Sequence, residues 1–83
     1  MDTLTSYATL LGRAVACGVD ILPATKRVGA WMDRTFPPGS PDQKVALIVM
    51  TEGMKYHAEQ QRAGRSPDSC ETVRREFGLV RWP

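Results

Sequence analysis

The segment Ser40-Pro41-Asp42-Gln43, followed by Val45-Ala46-Leu47-Ile48-Val49-Met50, constrains this chain more than any other. Ser40 is suited to cap a helix by accepting from the backbone N–H three residues on. Gln43 is suited to reach back to the Ser40 N–H, completing a capping box. Pro41 falls at the first helical position, where its missing N–H costs nothing. Asp42 puts negative charge on the positive end of the helix dipole. Beyond it, the first glycine or proline is Gly53 and the first strong stop is Gly64. The pattern predicts one long helix whose front half is apolar on every side. Such a helix needs cover on every side. In a chain of 83 residues, part of that cover is expected from a second copy or a partner.

The length suits a single domain spanning residues 1–83. A chain this short buries only about 60–65% of its unfolded surface, and its stability is on the order of 5 kcal/mol. The net charge of +2 neither demands nor excludes a nucleotide partner. The two cysteines, Cys17 and Cys70, are too few and too far apart for a disulfide framework. With one histidine they cannot complete a metal site. They read as two reduced, partly buried thiols of a cytoplasmic protein. No signal peptide is expected, since Asp2 is acidic and the first helix carries Thr and Ser. The run Val45–Met50 is far too short to span a membrane.

The periodicity predicts an all-α fold, a small four-helix bundle with a docked C-terminal tail. Leu4, Tyr7, Leu11, Ala14 and Val15 recur at helical spacing, so the first helix runs from about Thr3 to Cys17 and Gly18 stops it. Pro23 opens a second helix, about residues 23–35, carrying Val28, Trp31 and Met32 inward. Phe36-Pro37-Pro38-Gly39 is a stiff turn. The third helix covers about residues 41–63. Ser66-Pro67-Asp68 repeats the earlier start, so the fourth is expected over about residues 67–77, with Gly78 as its stop. Leu79-Val80-Arg81-Trp82-Pro83 is apolar enough to dock on the bundle.

Arg27, Trp31 and Arg34 fall at i, i+4 and i+7 and share one helix face, with Lys26 beside it. Two guanidiniums flanking an indole can bind phosphates and stack a base. The alternative makes Trp31 a core residue and the arginines a solvated rim. Tyr7, on the inward stripe of the first helix, is either core or a stacking platform. Arg74, Arg75, Arg81 and Trp82 form a second basic-aromatic cluster, suited to anchoring a partner. His57 has no carboxylate or serine at a useful offset and reads as an ordinary surface or core histidine. The chain carries no phosphate-binding loop, dinucleotide fingerprint or cysteine–histidine pairing. No catalytic residue, cofactor or metal is therefore expected.

The pattern Ser40-x-Asp42-x-x-Val45-Ala46-Leu47-x-x-Met50-x-Glu52-x-Met54-x-Tyr56, entered through a proline-containing turn, resembles the helical hairpin of phage nucleotide sponges, the anti-CBASS and anti-Thoeris proteins. The likeness covers about residues 36–58. Gly53 stands where those hairpins carry Ala, and Tyr56 where they carry Trp. The resemblance implies a non-enzymatic, oligomeric helical protein that sequesters cyclic oligonucleotide signals and so silences a bacterial defence. It also implies ligand contacts from a tyrosine in the first helix and a basic residue near the next turn, roles that fall to Tyr7 and Lys26.

Two expectations stand side by side. One is a homo-oligomeric sponge for a cyclic oligonucleotide, with Tyr7, Lys26, Arg27, Trp31 and Arg34 as its ligand set. The other is an inhibitor or adaptor for a bacterial protein, of anti-CRISPR or secretion-chaperone type. A small DNA-binding regulator is a distant third: the chain ends before a recognition helix can form, and no strongly basic face is apparent.

Overall fold

A computed structural model of the protein describes residues 2–83, with side chains from Thr3 onward. The described chain folds into four helices: α1 (Asp2–Ala16), α2 (Leu22–Thr35), α3 (Pro41–Arg62) and α4 (Cys70–Leu79). This is the all-α bundle that the periodicity predicts.

The helix ends follow from local chemistry. Ser40 has extended backbone angles and its Oγ accepts from the Gln43 N–H at 3.2 Å. The reciprocal half of the capping box is different from the expected one. The Gln43 Oε1 accepts from the Gly39 N–H at 2.9 Å, and its Nε2 donates to Asp33 Oδ1 at 2.8 Å. The Ser40 N–H is already spent on the Pro37 carbonyl at 3.0 Å. Gln43 thereby ties the start of α3 to the end of α2. Gly18 and Gly64 stop α1 and α3 as expected, with φ of 77° and 73°. Each is followed by a 6→1 bond, Val19 N–H to Ala14 at 3.0 Å and Arg65 N–H to Gln60 at 2.9 Å. That bond, with its inner 5→2 partner, is the Schellman arrangement.

The start of α4 departs from expectation. Its cap is Ser69, whose Oγ accepts from the Thr72 N–H at 3.2 Å, and not Ser66. The segment before it is held out of helical geometry. Asp68 accepts from Arg13 of α1 at 3.3 Å, and its carbonyl accepts from Gln61 of α3 at 3.0 Å. Gly78 lies inside α4, which runs on to Leu79.

The core is organised around α1. Leu4, Ala8 and Leu11 pack with Ala24, Val28 and Met32 of α2 and with Ala46 and Met50 of α3. Ala14 and Cys17 pack with Val73 of α4. The α1–α3 contact is backbone on backbone. A Cβ on Gly12 would fall onto the Met54 carbonyl, and one on Gly53 would stand 3.0 Å from the Ala8 Cβ. Cys17, just beyond α1, is disulfide-bonded to Cys70 at the start of α4, with Cα atoms 5.3 Å apart. This corrects the reading of two free thiols. The cysteines are remote in sequence, and only the docking of α4 on α1 brings them together. The tail docks as expected, with Trp82 against Tyr7 and Phe77 at ring-centroid distances of 5.5 and 5.3 Å.

Within the single chain α3 is not covered on every side. Ala46 and Met50 are buried, but Val45, Leu47 and Ile48 are 51, 50 and 62% exposed. Alpha-helix α1 covers one face of α3, α2 touches it only weakly, and the opposite face looks outward.

Gly12→Ala is expected to pry α1 from α3 and cost about 3 kcal/mol, read as a loss in chemical denaturation. Gly29→Ala, where an added Cβ meets nothing within 4 Å, should be neutral or stabilise by up to about 1 kcal/mol. Replacing both cysteines by alanine should cost about 4 kcal/mol, from the chain entropy of a long closed loop.

Candidate functional site

The five residues expected to hold a ligand divide by burial. Trp31 is half-buried on α2 and packs edge-on to Tyr7 at 5.5 Å and to Phe36 at 6.2 Å. Tyr7 also meets Trp82, which continues to Phe77. Five rings thus run in a chain along the margin of the core, packed against its buried residues. Tyr7 and Trp31 do come together, as expected, but each ring is engaged by other rings of the protein. Lys26, Arg27 and Arg34 are exposed along α2. The C-terminal set divides too. Arg74 donates to the Cys17 carbonyl at 2.9 Å, answering the negative end of α1. Arg75 and Arg81 are exposed. Trp82 belongs to the ring chain.

Two concavities lie elsewhere. The first is a groove of about 240 Å³ between α1 and α3, floored by Gly12, Met54 and Ala58, walled by Val15 and rimmed by Lys55 and Arg62. It lies along the seam where α1 and α3 approach at Gly12. Leu47, Thr51, Met54 and Ala58 recur every three or four residues, so Leu47 shares the groove's side of α3.

The second is a polar cleft of about 130 Å³ where α1, α3 and the following turn meet. Arg13, Tyr56, His57, Gln60, Arg65 and Ser66 line it. Alpha-helix α3 delivers Tyr56, His57 and Gln60 on adjacent turns, and the Schellman stop at Gly64 turns Arg65 back toward Gln60, whose Oε1 accepts from its Nε at 3.0 Å. Burial, and then the positive charge of Arg13, hold the His57 imidazole below its ordinary pKa of 6.5. Arg13 makes a single ion pair, to Asp68 at 3.3 Å, and its buried Nε–H has no partner among the described residues. Of these residues sequence reasoning weighed only His57 for chemistry, and read it as an ordinary surface or core histidine. Arg13 and Arg65 lie far from each other in the chain, and no motif joins them.

Among the described residues, no three or more His, Cys, Asp or Glu gather as metal ligands. No helix among them is long and apolar enough to cross a membrane.

The His57 environment has a measurable consequence. Its folded pKa is lowered, so the unfolded chain takes up the proton more readily. The imidazole therefore favours the folded state above its ordinary pKa and subtracts stability as pH falls through about 6.5. Thermal unfolding followed from pH 8 to pH 5 should show a drop in midpoint over that window. His57→Gln should flatten it.

Compared with known proteins, the chain matches no family model, and no curated protein or solved structure is significantly similar to it.

Proposed function

We propose that this chain is a small, non-catalytic binding protein that receives an apolar helical segment of a protein partner on the outer side of α3. The observation that carries the reading is the row Val45, Leu47 and Ile48, each half or more exposed on a well-capped helix. Large aliphatic side chains left in water on a rigid helix mark an interaction surface when they are contiguous. The row runs into the groove beside Gly12, whose rim offers Lys55, Glu59 and Arg62 to the polar edge of a docked amphipathic helix. Completing the burial of Leu47 and Ile48 contributes on the order of 3 kcal/mol, or about 100-fold in affinity.

The nucleotide-sponge reading is second. Its support is the line of exposed cations Lys26, Arg27 and Arg34 beside Trp31. Against it, Tyr7 and Trp31 are each engaged by two other rings of the protein. A phage anti-defence role fits this reading, and also a protein-binding inhibitor of anti-CRISPR type. Self-association, expected from the greasy front of α3, would use the same row that serves a foreign partner.

A cytoplasmic home rests on free thiols, and the Cys17–Cys70 bridge removes that support. Disulfides persist in oxidising compartments, and the proposed binding protein works in one. Alkylation of the native protein, without reductant, should label neither cysteine.

The combined Leu47→Glu and Ile48→Lys variant should keep the helical circular dichroism of the parent. It should lose about 100-fold in affinity for a captured partner. If light scattering finds a dimer that this variant returns to monomer, the partner is a second copy. Undiminished capture by the variant would overturn the reading. Calorimetric binding of a cyclic di- or trinucleotide tighter than about 10 μM, lost in Arg27→Ala, would put the sponge in its place.

A further inference from the structure

The polar cleft between α1, α3 and the turn at Arg65 is separate from the apolar row and independent of its use. Its lining is chemically one-sided. Arg13 and Arg65 bring two guanidiniums, His57 and Tyr56 bring ring donors, and Gln60 and Ser66 bring an amide and a hydroxyl. No carboxylate of the described residues lines it. The nearest acid engaged with the lining is Asp68, which takes one hydrogen bond from Arg13 at 3.3 Å. A carboxylate that fully answers a guanidinium takes two parallel bonds. Arg13 keeps an unspent Nε–H, and the terminal nitrogens of Arg65 donate to nothing among the described residues. The cleft thus concentrates positive charge and donors that the protein itself does not satisfy.

We propose that this cleft binds a tetrahedral oxyanion, either free phosphate or the phosphomonoester end of a small molecule. Arg65 and Arg13 supply the charge, and His57 and Gln60 supply directed hydrogen bonds. The volume fits: 130 Å³ is the space of about four water molecules, room for one phosphate and little else. Guanidiniums suit the task because their planar forks match pairs of phosphate oxygens. The charged groups facing His57 are Arg13 from α1 and Arg65 from the turn, with Asp68 reaching it only through Arg13. An anion between them would reverse the local field on the imidazole and draw a proton onto it. Binding should therefore raise the pKa of His57.

The test is nuclear magnetic resonance titration of the His57 ring with sodium phosphate, and separately with adenosine monophosphate, against sodium chloride at matched ionic strength. A saturable shift with phosphate, accompanied by a raised His57 pKa, is the expected result. Adenosine monophosphate binding as well as phosphate identifies an esterified ligand; phosphate alone identifies the free ion, and both support the site. Arg65→Gln, at an exposed position whose only side-chain bond among the described residues is to Gln60, should fold normally and weaken binding ~10-fold. A shift that chloride reproduces, or an affinity unchanged in Arg65→Gln, would overturn the proposal.

Discussion

The approach of α1 to α3 at Gly12 and Gly53 sets everything else in this molecule. Where two helices meet through side chains, their axes stand 8–10 Å apart. Here the Met54 carbonyl occupies the space a Gly12 side chain would take, and Ala8 faces Gly53. Close packing gains dispersion contacts along the seam. It also leaves little room for a second neighbour between them. So α4 attaches to the flank of α1 through Val73, and α2 lays Ala24, Val28 and Met32 against core residues of both α1 and α3. The groove beside Val15 and Ala58 lies along the same seam.

The exposed aliphatic row is a matter of proportion. A helix of 22 residues is about 33 Å long, close to the 36 Å longest dimension of the whole molecule. Its partner α1 has 15 residues and covers one side. The remaining chain is committed to the rest of the core and to the ring chain from Phe36 to Phe77. Nothing is left to lie over Ile48, and the charged residues that follow it, Glu52, Lys55, Glu59 and Arg62, are the ordinary furniture of a solvated face. The front of α3 breaks that pattern, which is why binding is sought there.

Much of this architecture is legible in the residues, because it is local. Ser40 and Pro41 announce α3, Gly18 and Gly64 announce the stops, and the periodicity announces the inward faces. What escapes is non-local. Ser66 and Ser69 are equally good caps by composition; Arg13 and Gln61, grasping Asp68, decide between them. The disulfide follows from α4 docking on α1, which no spacing reveals. The apolar run at Val45 reads as needing cover on every side, and within the single chain that cover reaches one face only, leaving Val45, Leu47 and Ile48 half or more exposed. Of the polar cleft, His57 alone is conspicuous. It becomes part of a cluster only when α1 and the turn after α3 bring Arg13 and Arg65 beside it.

The bridge between Cys17 and Cys70 also divides the chain mechanically. It encloses α2 and α3 in one covalent ring and leaves α1 and α4 as arms outside it. Tension on the two termini is carried through the sulfur–sulfur bond, so stretching unravels the arms while the enclosed hairpin bears no load. A protease cut at the exposed Pro37–Pro38 turn would likewise sever the backbone without releasing either half.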